Sequence, residues 1–202
     1  MNHSFGIPEH LFSVKQANGA SSMTAATYAS RFIQEMEKRY GIRDRSWTYV
    51  GVEFRGDVPQ VWFPGGYDTP PRKHIAITLS AEAFSDRQRT VYQLAHECVH
   101  LLAPVEGGDA PVIEEGLATA FSEDMIEYWC DNTNKQAYTE DKRYVNAAAH
   151  VRKLLALEPD AIPRLRAVEP AFNQMTADTF TRAGLNVPPA LVAALLASFP
   201  ED

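Results

Sequence analysis

The sequence predicts an α+β fold, in which a helix and a small N-terminal sheet precede a mainly helical C-terminal half. Three observations lead to this expectation. Apolar residues recur at helical spacing near the N-terminus, short runs of β-branched and aromatic residues follow, and helical patterns continue after about residue 80. The 202 residues suit one domain with a sizeable core, so we expect a single domain over 1–202, with 81–202 helical.

The N-terminal part is expected to hold one helix and three strands. The first two dozen residues look irregular, and a helix then begins near Thr24 and stops at Gly41. Strands are predicted at 48–55, 58–63 and 74–79, because these runs are rich in β-branched and aromatic residues. Turns at 56–57, 64–66 and 70–71, which contain Gly or Pro, separate them.

The C-terminal part is expected to consist of successive helices. Ser85-Asp86 caps a helix that reaches about Ala103, where Pro104 ends it. A loop with Gly107-Gly108 leads to a second helix, from Pro111 to about Cys130. Residues 139–141 open a third, and two or three shorter helices follow, broken by prolines at 159, 163, 170, 188 and 189.

Composition and charge exclude several classes of function. Lys plus Arg is 19 and Asp plus Glu is 26, which leaves a net charge of −7 and argues against nucleic acid as a partner. The longest apolar run, residues 191–197, is far too short to span a membrane, and no secretory signal is visible, so we expect a cytoplasmic protein. Cys98 and Cys130 are expected to be buried, reduced thiols.

The residues that indicate chemistry are His96-Glu97-Cys98-Val99-His100, an H-E-x-x-H sequence within a predicted helix. Histidines four residues apart project from one helical face, so both imidazoles can bind one metal ion. Glu97 lies about 100° further round the helix, which suits a carboxylate that takes a proton from metal-activated water. Cys98 falls on the apolar face and is expected to pack in the core.

A catalytic zinc ion needs a third protein ligand, and the next predicted helix begins with two candidates. Glu115 shares its stripe with three small residues that would let the histidine helix approach: Ala118, Thr119 and Ser122. Glu114 shares its stripe with residues typical of a core, so we choose Glu115 as the ligand. Glu114 is then interpreted as a favourable charge at a helix N-terminus.

The pairing of His96-Glu97-x-x-His100 with Glu115-Gly116-x-Ala118 resembles the gluzincin group of zinc metallopeptidases, over about residues 75–121. The resemblance implies a zincin-like fold of minimal size, with Zn²⁺ held by the two histidines and Glu115 and with Glu97 as general base. It also implies a sheet whose edge strand lines the substrate cleft, and residues 73–78 occupy that place. Thr119 stands where many relatives carry an acidic residue that orients a ligand histidine.

Peptide hydrolysis also needs a donor for the oxyanion that forms at the carbonyl. In gluzincins this is commonly a Tyr or His from the C-terminal half, and Tyr144 faces inward on the third helix. Its alternative role is an aromatic in the core with its hydroxyl at the surface, and both interpretations stay open. His150 is interpreted as an exposed or structurally satisfied histidine, and no role is assigned to His3, His10 or His74.

The function that these patterns predict is zinc-dependent hydrolysis of peptide bonds, on a peptide or protein substrate. A shallow, open cleft suited to an extended peptide is expected, because an edge strand can pair with substrate backbone. The acidic residues of the second long helix are interpreted as a solvated face. The alternative function is a catalytically inactive zincin-fold module that binds metal or another protein. In a third interpretation the motif is accidental and the helix belongs to a metal-free domain.

Overall fold

A computed structural model describes residues 25–64, 73–105, 110–130 and 138–200, and confirms the α+β prediction. The described residues form seven α-helices, three strands and two short 3₁₀ turns. The elements are α1 (Ala25–Tyr40), β1 (Trp47–Phe54), β2 (Gln60–Trp62), β3 (Lys73–Leu79), α2 (Arg87–His100), α3 (Val112–Cys130), α4 (Lys142–Leu157), α5 (Ala161–Val168), α6 (Ala177–Arg182) and α7 (Pro189–Leu196). The predictions for His3 and His10, the turns at 65–66 and 70–71, and Gly107-Gly108 lie outside the described residues.

The sheet has the order β1-β3-β2, with β1 parallel and β2 antiparallel to the central strand. The expectation that residues 73–78 form the edge strand is therefore wrong, because β3 is central. Five consecutive residues of β3, Ile75 to Leu79, are buried, so other elements cover both faces of the sheet at this strand. The edge strand is β2, which pairs with β3 at Gln60–Thr78 and Val61–Ile77.

Helix α2 begins as predicted and ends earlier. The Asp86 side chain accepts a hydrogen bond from the Arg89 backbone N–H, so Asp86 is the N-cap. The α-helix ends at His100, three residues before the predicted Ala103, because the amides of Leu101 and Leu102 bond to carbonyls three residues back. The Leu102 carbonyl in turn accepts hydrogen bonds from the Asp44 N–H and the Arg166 guanidinium.

Helices α2, α3 and α4 pack against one another, and a glycine allows the closest approach. A Cβ atom on Gly116 would lie 2.3 Å from the carbonyl oxygen of Ala147 and 2.8 Å from Cγ2 of Val151. The start of α3 therefore sits directly on the backbone of α4. This contact fixes the spacing between Glu115, on α3, and Tyr144, one turn before Ala147 on α4.

The short C-terminal helices complete the core. Pro163 does not break a helix as predicted but lies in the first turn of α5, where a missing N–H leaves no hydrogen bond unmade. Beyond α7 the chain returns to α3, since Ser198 forms an isolated antiparallel bridge with Pro111. One cluster of buried apolar side chains joins α1, the sheet and the helices from α2 to α7.

The last expectations concern membrane-spanning helices and the burial of the two cysteines. Among the described residues, no helix combines the length and the apolar character needed to cross a membrane. Cys98 is fully buried, as predicted, and this burial raises the pKa of its thiol. Cys130 is only half-buried, so the expectation that it is buried is wrong.

Candidate metal centre

Two helices bring three metal-ligand side chains to one point. His96 and His100 project from the same face of α2, and Glu115 faces them from the first turn of α3. One ligand atom from each lies within 4.8 Å of the other two. The His96 Nε2 atom is 3.2 Å from Glu115 Oε2, and the His100 Nε2 atom is 3.7 Å from Glu115 Oε1.

These separations are of the size expected between donor atoms that share one metal ion. Ligand bonds of about 2.1 Å at tetrahedral angles place neighbouring donor atoms roughly 3.4 Å apart. The two distances lie on either side of that value, although each runs to a different oxygen of Glu115. Two imidazoles and a carboxylate are also the ligand chemistry of a three-ligand catalytic zinc centre.

Glu114 orients one of the histidines, a role that the sequence analysis did not assign to it. Its Oε1 atom lies 2.8 Å from Nδ1 of His100, the ring nitrogen opposite the ligand atom. A carboxylate at that position selects the tautomer with a free Nε2 and fixes the ring. Thr119 does not act on a histidine, because its hydroxyl donates to the backbone carbonyl of Glu115 at 2.8 Å.

Glu97 lies beside the three ligands and not among them. Its side chain is 3% exposed, yet it lines the same cavity, and it accepts a hydrogen bond from the Val61 backbone N–H. Burial raises the pKa of this carboxyl, while His100 and His96 oppose the shift. A carboxylate whose proton affinity is raised in this way is a stronger base than an exposed one.

The electrostatics of the metal-free centre favour a proton on His100. Burial alone would lower the pKa of His100, but Glu115, Glu114 and Glu97 outweigh it and raise the pKa to about 10. Burial alone would raise the pKa of Glu115, but the two histidines outweigh it and lower the pKa to about 2. The proton therefore occupies the position that a metal cation would take.

We expect the apparent zinc affinity to fall as the pH falls, by about tenfold per pH unit between about pH 6 and pH 8. His100 is protonated below its pKa of about 10, so zinc must displace that proton. Glu115, with a pKa of about 2, takes up none in this range. Competition with a chromophoric chelator over this pH range measures the slope.

The matched control for this slope is Glu114→Gln, which removes one of the carboxylates that hold the proton on His100. The variant should bind zinc with a shallower pH dependence, because the pKa of His100 moves towards its ordinary value. A wild-type affinity that does not change between about pH 6 and pH 8 would contradict a protonated His100.

Tyr144 reaches the metal centre, and His150 does not. The Tyr144 ring packs edge-on against His96, with ring centroids 5.8 Å apart, and the residue lines the cavity. Its hydroxyl has no hydrogen-bond partner among the described residues. Burial, then Glu115 and Glu97, raises the pKa of Tyr144 to about 12, so the phenol keeps its proton. His150 lies further along α4, away from the cavity lining.

A second phenol in the cavity, which the sequence analysis did not single out, is already occupied. The Tyr92 hydroxyl lies 2.6 Å from Oγ1 of Thr139, and that hydroxyl in turn donates to the buried carboxylate of Glu123. Since Thr139 uses its proton on Glu123, Tyr92 must donate to Thr139. The third phenol of the cavity, Tyr138, donates to the Asp86 carboxylate. Among the described residues that line the cavity, Tyr144 is therefore the phenol with a proton free to donate.

The centre opens into a cavity of about 860 Å³. One wall is the loop before β2 and β2 itself, over residues 57–61, and the opposite wall is formed by residues 138–141 and Tyr144. The floor is the metal-binding face of α2. Two apolar side chains, Val58 and Val105, are exposed at this cavity.

Most of the acidic residues of α3 do not form the solvated face expected from sequence. Glu123 is 2% exposed and is paired with Arg152 at 2.9 Å, and Glu114 and Glu115 are mostly buried at the metal centre. The first three turns of α3 are buried, because α2 and α4 both pack against them. Asp124 is half-buried and pairs with Arg39 and Arg152, and Glu127 is exposed, as expected for a solvated face.

Comparison of the chain with protein-family models, with curated proteins and with solved structures finds no match.

Proposed function

We propose that the chain is a zinc-dependent hydrolase of peptide bonds, with a zincin-like fold and a gluzincin-like metal centre. The observation that carries the proposal is the convergence of His96, His100 and Glu115 in an open cavity. A buried carboxylate, Glu97, and an unbonded phenol, Tyr144, line the same cavity. Ligands, base and donor are the three components that hydrolysis of an amide by activated water requires.

The ligand set supports zinc as the metal. His96, His100 and Glu115 would hold it, and Glu114 would keep the His100 ring in place. When bound, the ion supplies a Lewis acid that polarises a carbonyl and lowers the pKa of water. Three protein ligands leave the fourth position of a tetrahedral site for the reactants.

Glu97 moves the proton in this proposal. Its carboxylate takes a proton from the attacking water and passes it to the nitrogen of the departing amine. Tyr144 donates a hydrogen bond to the oxygen that becomes negatively charged as the carbonyl carbon turns tetrahedral. Since the pKa of Tyr144 is about 12, the donor stays protonated at neutral pH.

The substrate would be an extended segment of a peptide or protein. Strand β2 is an edge strand that lines the cavity, and the Val61 N–H points towards Glu97. Backbone groups of an edge strand that are not already bonded can pair with a peptide laid along it. The Val61 N–H is not one of them, because it donates to Glu97. The substrate carbonyl would then lie between Glu97 and Tyr144.

The proposal is tested on protein purified without chelator or affinity tag. We expect close to one zinc ion per chain by elemental mass spectrometry and cleavage of a mixed peptide library by liquid chromatography and mass spectrometry. A chelator should abolish cleavage and added zinc should restore it. Zinc retained with no cleavage in any library would favour the alternative, a metal-binding or protein-interaction module. A chain without metal that takes up none when zinc is added would overturn both.

A further inference from the structure

The segment of residues 197–200 joins the starts of the two helices that carry Glu115 and Tyr144. The Val112 N–H, at the first residue of α3, donates to the Ala197 carbonyl at 2.9 Å, and the Phe199 N–H donates to the Ala110 carbonyl at 2.9 Å. The first amides of a helix have no partner within it, so this bridge satisfies one of them. The segment is thereby fixed to the start of α3.

The same segment is also fixed to the start of α4. The Arg143 guanidinium donates to the Pro200 carbonyl at 3.0 Å, and it lies over the Phe199 ring, 5.9 Å from its centroid. The Phe199 ring contacts the Tyr144 ring, with centroids 4.6 Å apart and the planes tilted by 49°. The Tyr144 ring thus contacts the rings of both His96 and Phe199.

Ring contacts matter for Tyr144 because its hydroxyl is bonded to no described residue. A buried tyrosine is ordinarily oriented by a hydrogen bond at its hydroxyl together with packing of its ring. Here the packing alone must select the side-chain conformation. Without the Phe199 ring, His96 would be the aromatic neighbour left to Tyr144 among the described residues.

We propose that Phe199 is a positioning residue for Tyr144: it holds the phenol over the metal centre in the orientation that donates to the oxyanion. The effect of Phe199 on catalysis rests on the proposed function. The orientation of the Tyr144 side chain by Phe199 does not depend on it. Among the described residues, the Phe199 ring contacts Tyr144 and Arg143, and Tyr144 is the one of these two that lines the cavity. The backbone bonds of its segment to α3 do not involve the ring, so a substitution of the side chain tests the contact with Tyr144. A donor misplaced by about an ångström loses much of its contribution to the rate.

The experiment compares Phe199→Ala, Tyr144→Phe and the double variant, with Phe199→Tyr as the conservative control. We expect Tyr144→Phe to lower kcat roughly 100-fold. Phe199→Ala should lower kcat at least about tenfold, with KM and zinc affinity within a few-fold of the wild type. The double variant should be no slower than Tyr144→Phe, and Phe199→Tyr should restore most of the rate, because the ring is kept.

A second measurement does not depend on hydrolysis. In protein labelled with 3-fluorotyrosine, the ¹⁹F resonance of Tyr144 is assigned by its absence from Tyr144→Phe. It should broaden or split in Phe199→Ala, because the ring samples more than one conformation, and keep its wild-type width in Phe199→Tyr. A change of position without broadening is expected from the lost ring current alone and does not count as support. If the chain hydrolyses no peptide, the broadening still supports the orienting role, so the two proposals fail separately.

Three results would overturn the inference. They are a single Tyr144 resonance of wild-type width in Phe199→Ala, a wild-type rate in that variant, or losses that multiply in the double variant. If Phe199→Ala does not fold, Phe199→Leu replaces it, because leucine fills much of the space without an aromatic ring. The same comparisons then apply to the leucine variant.

Discussion

Replacing Glu97 with Gln is expected to abolish detectable peptide hydrolysis while zinc stays bound at close to one ion per chain. The amide keeps the shape of the side chain but cannot accept the proton of water. Loss of a positioned general base costs roughly 10²- to 10⁴-fold in rate. Glu97 is not among the three ligand atoms that converge, so the metal should remain. Steady-state cleavage of a fluorogenic peptide, with elemental analysis of the same sample, measures both quantities.

The control for Glu97→Gln is Glu53→Gln, which removes the same charge from an exposed position on β1, outside the cavity. It should keep both zinc and the wild-type rate. If Glu97→Gln retained more than about a tenth of the rate, Glu97 would not be the general base. If Glu97→Gln lost the zinc instead, the Glu97 side chain would be part of the metal site. The general base would then have to be another residue of the cavity.

The metal-ligating face could be predicted from sequence because its first half is local. Two histidines four residues apart meet on one face of any regular helix, and the structure places them so. The choice of Glu115 over Glu114 depended on the small residues that share its stripe, and those residues are buried in α3. The structure brings the Glu115 carboxylate to the two Nε2 atoms, and its role as a metal ligand stays a prediction.

Features that depend on how elements pack were beyond the sequence pattern. The bond between Glu114 and His100 requires the lateral offset of two helices, which no spacing within one helix encodes. The position of β3 at the centre of the sheet was nevertheless visible in its five apolar or β-branched residues in succession, a pattern typical of strands buried on both sides.

The orienting contact of Phe199 had no signal in the sequence at all. Phe199 lies 55 residues after Tyr144, in the segment of residues 197–200. This segment belongs to no helix or named strand and forms an isolated bridge with Pro111. The order of the helices was predictable from the apolar periodicity and the prolines. The return of the chain from α7 to the start of α3 was not, because it depends on the packing of the helices between them.

Replacing Gly116 with Ala is expected to destabilise the protein by about 2–3 kcal/mol and to weaken zinc binding. The new methyl group would lie 2.3 Å from the Ala147 carbonyl oxygen and 2.6 Å from its carbon, so α3 and α4 must separate. Backbone atoms of a packed helix cannot move aside as a flexible side chain can. The displacement would carry Glu115 away from the histidines and alter its distance from Tyr144. Chemical denaturation of the metal-free protein and a zinc titration measure the two effects.

The sign of this effect separates packing from helix propensity. In an exposed helix interior alanine is favoured over glycine by about 1 kcal/mol, so Gly116→Ala would stabilise α3 if nothing lay beside it. The matched control is Ala149→Gly, at an exposed position in the interior of α4, which should cost about that amount and leave zinc binding unchanged. A neutral or stabilising Gly116→Ala would mean that α3 and α4 are not in close contact at this point. The methyl group would meet the Val151 side chain and the Ala147 backbone. If adding Val151→Ala to Gly116→Ala restores only part of the lost stability, the remaining loss comes from the contact with the Ala147 backbone.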